Sequence, residues 1–359
     1  MSQSLLRERY QQHGARLAQD GIPLDFGDLA VEYQTALSAV VLLDRSHEGR
    51  VLVMGSQRHE LLNRMSTNHM LKLAPDQGQP TLFTTPTARI LERVTAYNRS
   101  DGLLCVTLPG HGALFARYLQ RNIFFNDDVQ VQDITSTTHQ FSLHGPQADD
   151  LMARLLPDSA ALPPLGGMNT TLAGQVIYAA RNKPLSGAHW LIICPAEGAA
   201  SVFEALQEAG ARPSGSLLYN VLRIRAGVPG LPELNEEYIP LELGLWDEVS
   251  FHKGCYTGQE VIARMESRAK LARTLVRLHP EAPVQAPAAL STPEGQSVGT
   301  LTSAVTAPDG QIYAMGVVKT SLLSQEASVV LVGEARTTAH VGELLGAQPR
   351  FLRDELPSD

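Results

Sequence analysis

The sequence predicts an α+β protein: two ferredoxin-like lobes followed by a small C-terminal β-barrel. Three observations predict it. An apolar strand, a short turn with Gly, Pro or Ser, and an amphipathic helix recur four times. Strand-like stretches without a helix of their own fall between these units. Beyond the Pro-rich stretch that begins at Pro280, the helical period gives way to short strands and turn residues. The 359 residues exceed what one ordinary core holds, and 43% hydrophobic with 18% charged residues is a globular composition.

Residues 1–20 read as a polar, amphipathic leader helix. Residues 21–135 form the first lobe. Here Val51–Met54, the Gly55-Ser56 turn and a helix with Leu61, Leu62 and Met65 make one unit. Leu103–Leu108, Pro109-Gly110 and a helix with Leu114, Phe115, Tyr118 and Leu119 make the next, with the alternating strand Ile90–Tyr97 between them. Residues 136–270 form the second lobe. Phe141–His144 precedes Gly145-Pro146 and a helix with Leu151, Met152 and Leu155. Trp190–Cys194 precedes Pro195 and a helix with Val202, Phe203 and Leu206 that stops at Gly210, and Val176–Ala180 is the strand between. Each lobe thus has a β-α-β-β-α-β rhythm; one mixed sheet is the alternative. Residues 271–350 are the barrel, with a hairpin of Val298–Val305 and Ile312–Val318 about Pro308-Asp309-Gly310, then strands at Ser328–Val332 and Thr337–Val341. Residues 351–359 read as a tail.

The informative stretch is Phe251–Lys270. Thr257 as N-cap and Glu260 at N3 predict a capping box, and Val261, Ile262 and Met265 give the helix that follows an apolar face. Cys255 lies just before the cap, where the positive end of a helix dipole favours a thiolate, and Lys253 adds a cation. Gly254 and Gly258 permit tight turns around it. From Lys253 to Arg277 the cations are Lys253, Arg264, Arg268, Lys270, Arg273 and Arg277, against Glu260 and Glu266. That is +4 in a chain whose net charge is −8, a pattern that suits an anionic ligand or a solvated helix face. Cys105 and Cys194 sit inside apolar strands and read as core. The few scattered cysteines argue against a disulfide framework and for a reducing compartment. No signal peptide and no membrane-length apolar run is seen, so the protein is expected to be cytoplasmic.

Lys253-Gly254-Cys255-Tyr256-Thr257-Gly258-Gln259-Glu260 resembles the K-G-C-[FY]-x-G-Q-E signature of the YgfZ family, and Arg264 matches the arginine that follows it. Arg223-Ile224-Arg225-Ala226-Gly227-Val228-Pro229 and Tyr238-Ile239-Pro240-Leu241-Glu242 resemble the same family and the wider superfamily of glycine-cleavage T-proteins, the aminomethyltransferases. Leu42–Ser46, His144-Gly145-Pro146 and Gly299–Ser303 fall where that superfamily has comparable motifs. The resemblance implies a T-protein-like fold of three domains around an opening that binds tetrahydrofolate. It implies a role in iron–sulfur cluster assembly or repair, with client enzymes or assembly factors as partners. By resemblance Cys255 and Lys253 are the working residues, and Arg223, Arg225, Lys253, Tyr256, Gln259 and Arg264 are the folate contacts.

Three departures from the pattern stand out. Arg225 occupies the place of a glutamate that helps hold the pterin, and an arginine cannot accept the pterin's hydrogen bonds. The Gly-Gly-Asp element of T-proteins is replaced around Ala88–Arg93, where Glu92 is the nearest carboxylate. Ala269 stands where the family often has glycine after the helix. A tetrahydrofolate-dependent aminomethyltransferase using Glu92 is the alternative function, and a scaffold whose basic helix docks a partner or a tRNA is a third. His252 and Cys255 are too few ligands for a metal site. Trp246 and Tyr238 read as core. HExxH, GxSxG and Gly-rich phosphate loops are absent.

Overall fold

The structure is a computed structural model that describes residues 2–268, 270–323 and 329–349. The tail at 351–359 and Ala269 lie outside the described residues. The elements run α1 Ser2–Gln12, β1 Arg16–Leu17, β2 Pro23–Asp25, α2 Leu29–Ser38, β3 Val41–Asp44, β4 Glu48–Met54 and α3 Arg58–Met65. Then come β5 Gly78–Thr84, β6 Ile90–Arg99, β7 Gly102–Pro109, α4 Gly112–Gln120, β8 Gln130–Asp133, β9 Thr138–Gly145 and α5 Ala148–Leu155. Next are β10 Gly167–Leu172, β11 Gln175–Arg181, β12 Ala188–Pro195, α6 Ala199–Glu208, β13 Arg212–Ser214, α7 Ser216–Arg225 and α8 Gln259–Ser267. The last six strands are β14 Arg273–Pro280, β15 Ala288–Ser291, β16 Ser297–Thr306, β17 Ile312–Lys319, β18 Val329–Val332 and β19 Thr337–Leu344.

All four expected strand–turn–helix units form, as β4–α3, β7–α4, β9–α5 and β12–α6. Local chemistry explains them. The helices bury their periodic residues, such as Phe115 and Leu119 in α4 and Val202, Phe203 and Leu206 in α6. Helix α2 starts where Asp28 accepts the amides of Ala30 and Val31 at 3.0 Å, an N-cap that satisfies two otherwise unpaired donors.

One sheet has the order β5-β6-β7-β4-β8. Within it β8-β4-β7-β6 is the ferredoxin-like order, with β5 added at the edge. The other sheet has the order β10-β11-β12-β9-β3-β13. It is the same arrangement with β3 inserted between β9, to which it is antiparallel, and β13, to which it is parallel. The expectation that residues 21–135 all belong to the first lobe is corrected here: β3 joins the second sheet, and β1 and β2 pair with each other in a two-stranded sheet of their own. The reason is burial, since all four residues of β3 are buried. The core of this sheet collects Leu6 and Tyr10 of α1, Leu42, Phe141, Leu151, Trp190 and Phe203. The leader helix ends at Gln12, not near residue 20.

A second finding concerns Arg223 and Arg225. Both lie at the end of helix α7, where Leu218, Val221 and Leu222 repeat at helical spacing and are buried.

The chain forms two compact units. The first holds Met1–Leu61, Met70–Pro80 and Val94–Leu222. The second holds Leu62–His69, Thr81–Arg93 and the chain from Arg223 on. The KGCYTGQE segment, expected with the second lobe, therefore packs in the second unit. That unit also holds a closed barrel of order β14-β17-β16-β15-β18-β19, filled by Val276, Leu278, Leu290, Leu301 and Val330 among others. Among the described residues no helix is long and apolar enough to cross a membrane.

Candidate functional site

The turn that carries Cys255 is tied down on both sides. Before it, the Ser250 amide donates to Thr67 O at 2.9 Å. After it, the Thr84 hydroxyl donates to Thr257 O at 2.6 Å. Tyr256 is buried in an apolar cluster with Ala88, Ile239, Leu241, Val249, Ile262 and Leu271, and this burial pushes its hydroxyl pKa up to about 12. The expected capping box does not form. The N-cap of α8 is Gly258, at φ 85°, with no side-chain cap. A Cβ there would stand 2.7 Å from Thr85 O, so only glycine fits, and the helix starts one residue later than the Thr257 cap implied.

Cys255 is exposed, whereas Cys105 and Cys194 are buried, with both thiols pushed up to about 12 by burial. Two residues earlier Lys253 is buried. Its ammonium donates to Asn63 O and Ser66 O at 2.5 Å and to Asn68 O at 2.7 Å, and the Tyr256 ring centroid is 5.1 Å away. Burial lowers the Lys253 pKa to about 7. The three carbonyls act the other way. A neutral amine has two N–H bonds and would turn its lone pair toward the third carbonyl, so we assign the charged form.

The remaining expected contacts are dispersed. Arg223 is buried, ion-paired to Glu233 at 3.4 Å and bonded to Ser303 Oγ at 3.1 Å. Ser303 in turn donates to Glu233 at 2.6 Å. Arg225 is half-buried at the end of α7, and its carbonyl accepts from Arg277 at 2.8 Å. Gln259 is half-buried at the first position of α8. Arg264 is exposed and lies 3.9 Å from Glu260 one turn back. The +4 run also thins out in three dimensions. Lys253 is used on carbonyls, Arg273 on Glu242 at 2.9 Å, and Arg277 on Glu343 and two carbonyls.

A folate makes two demands: an acceptor for the pterin's N–H edge and cations for its glutamate carboxylates. Of the six, Gln259 is the side chain whose amide oxygen can meet the first, because Arg223 and Lys253 are donors already committed, Tyr256 is buried, and Arg225 and Arg264 cannot accept. For the second, Arg264 is the exposed cation of the set and Arg225 is half-buried. Tyr238 is buried as expected, with Arg273 5.1 Å from its ring centroid, and Trp246 donates to Leu241 O at 3.2 Å.

Sequence reasoning missed the partners of Lys253 and the buried pair of Arg93 with Glu248. That pair is bidentate, with both bonds at 2.7 Å. The adjacent Glu92 is buried and accepts the Arg93 amide at 3.2 Å. The signal available was charge inside otherwise apolar stretches, which marks a paired group without naming its partner. Among the described residues no three His, Cys, Asp or Glu side chains converge as a metal site.

The GCVT N-terminal domain family matches residues 6–253 of this chain. An Arabidopsis thaliana protein named "Putative transferase At1g60990, chloroplastic" is 32% identical over 351 residues, covering 96% of this chain and 79% of that protein. An aminomethyltransferase of Geobacillus kaustophilus is 30% identical over 270 residues, covering 72% of this chain and 73% of its own. The crystal structure of the glycine cleavage system aminomethyltransferase T from Bartonella henselae superposes with a TM-score of 0.85 at 21% identity. It covers 95% of this chain and 96% of that one, a likeness of fold.

Proposed function

The chain belongs to the GCVT N-terminal domain family, and from that premise we propose that it is a cytoplasmic, tetrahydrofolate-binding accessory protein that supports iron–sulfur enzymes through Cys255. The observation that carries this reading is the contrast among the cysteines. Two are sealed in strands, and the third is exposed on a turn held from both sides. A thiol that merely packed would be buried like the others. The YgfZ-like signature around it supplies the link to iron–sulfur cluster assembly or repair and to client enzymes or assembly factors as partners. The folate would lay its glutamate carboxylates against Arg264, with Arg225 at the pterin end and the Gln259 amide oxygen as the acceptor there. Bound there, it would supply a one-carbon carrier. The chain's own contribution is to present one sulfur at a fixed place.

The test is complementation. In a strain lacking this protein, Cys255→Ala is expected to leave the fold and the melting temperature unchanged and to abolish support of iron–sulfur enzyme activity. Full support by that variant would remove the thiol from the function.

A second reading, aminomethyl transfer to tetrahydrofolate, draws on the buried Glu92 and on relatives named aminomethyltransferase. Such chemistry needs a carboxylate near the reacting amine. Formation of methylenetetrahydrofolate from a carrier-bound aminomethyl group, lost in Glu92→Gln, would put this reading first.

A further inference from the structure

Lys253 is 7% exposed, yet its neighbours His252, Gly254 and Cys255 are exposed. A lysine is almost never buried without partners. Here the partners are three backbone carbonyls, those of Asn63, Ser66 and Asn68, in the last turn of α3 and the loop that leaves it. This is where a helix leaves carbonyls without intrahelical donors and where its macrodipole is negative. An ammonium has three N–H bonds, and all three are engaged. None is left to donate to a thiolate at Cys255.

We propose that Lys253 is a positioning residue, which pins the Cys255 turn to the C-terminal end of α3 and so fixes where the thiol is presented. The neighbouring ties agree. Ser250 is held to Thr67, Tyr256 is buried and Thr257 is held by Thr84, so each side of Cys255 has anchors while Cys255 itself is exposed. Lys253 is the polar side-chain tie between Ser250 and Tyr256 among the described residues. Its loss frees the segment just before the cysteine.

The proposal rests on Cys255 being the working thiol, but its test reads the turn itself. In the full-length protein, Cys255 alkylation by iodoacetamide is followed from about pH 6 to about pH 10 in Lys253→Met and Lys253→Arg, with Cys255→Ala as the blank. Backbone hydrogen exchange of residues 253–259 is measured alongside. A pin predicts exchange about tenfold faster or more in both variants. It also predicts an alkylation midpoint within about 0.3 units of the parent. Arginine does not rescue, because a guanidinium is longer and wider than the ammonium and does not fit the single point on which the three carbonyls converge at 2.5–2.7 Å. An ammonium that acts on the thiol by charge predicts the opposite: unchanged exchange and a midpoint raised by about one unit in Lys253→Met, restored in Lys253→Arg. That result overturns the proposal. If Lys253→Met does not fold, Lys253→Arg decides alone: faster exchange with an unmoved midpoint supports the pin, and unchanged exchange sinks it. Failure of Cys255→Ala to lose function would sink the proposed role of the thiol while leaving the pin standing.

Discussion

Arg93 and Glu248 show how much a single buried pair can decide. The Glu248 side chain is 1% exposed and that of Arg93 is 23% exposed, joined by two bonds of 2.7 Å. Exchanging both for apolar residues of like volume can be neutral, but removing one partner leaves a charge in a poor solvent. Arg93→Met is therefore expected to lower the unfolding free energy by about 3–5 kcal/mol, measured by urea denaturation. A loss below about 1 kcal/mol would mean the pair is solvated in solution. At Arg225 the direction is set by hydrogen-bonding capacity. Arg225→Glu supplies a carboxylate acceptor for the pterin edge, so calorimetry with tetrahydrofolate is expected to show tighter binding in the variant. Unchanged or weaker binding would mean the pterin edge is met elsewhere. Cys255 and the residues around it were legible in the sequence because the motif is contiguous. The use of Lys253 was not, because its acceptors are carbonyls near residue 65, far away along the chain, and backbone oxygens carry no residue code.

At the scale of elements, the apolar period identified all four strand–helix units and the barrel hairpin β16–β17. It failed where two signals competed. In α7 the charged Arg223 and Arg225 interrupt the apolar pattern, but Leu218, Val221 and Leu222 set the helical period that governs burial. At α8 the Thr-x-x-Glu pattern suggested a cap, but the close approach of Thr85 O demands glycine. Gly258→Ala should cost about 1–2 kcal/mol from the left-handed backbone alone, and more from the clash. A stability equal to the parent's would show that the turn relaxes freely. Register also predicts a pH effect. His144 on β9 lies directly opposite His189 on β12, with ring centroids 4.1 Å apart. Burial, with the other imidazole and Arg45 nearby, holds His144 well below its ordinary value, and burial brings His189 to about 4. Both pKa values are depressed in the folded state, so the unfolded chain binds the extra protons. Stability is then fully present above the ordinary histidine value of about 6.5 and falls as pH drops toward about 4. Denaturant melts across that window should show the slope, and His189→Gln should flatten it.

At the scale of the molecule, the feature that local reading could not reach is the insertion of β3. A strand's sheet is set by which partner buries it, and the partners of Val41–Asp44 are β9 and β13, about a hundred and more residues later. Nothing in four apolar residues encodes that distance. The insertion makes the N-terminal segment part of the second sheet's core: Leu6, Tyr10 and Leu42 are buried there, and Tyr10 donates to Asp44 at 2.8 Å. Each such side chain contributes about 1.5–3 kcal/mol on burial. Val41, Leu42, Leu43, Leu6 and Tyr10 together therefore match the whole stability of an ordinary domain, about 5–15 kcal/mol. Deleting residues 1–44 would also leave the facing edges of β9 and β13 unpaired in the middle of a sheet, a template for aggregation. A chain beginning at Arg45 is accordingly expected to lose its near-ultraviolet circular dichroism and its cooperative melt and to collect in the insoluble fraction. Co-expression of the 1–44 segment should recover part of the soluble yield. A soluble, cooperatively melting truncation would show that β9 and β13 close on each other without β3, making the inserted strand an addition to the fold instead of its centre.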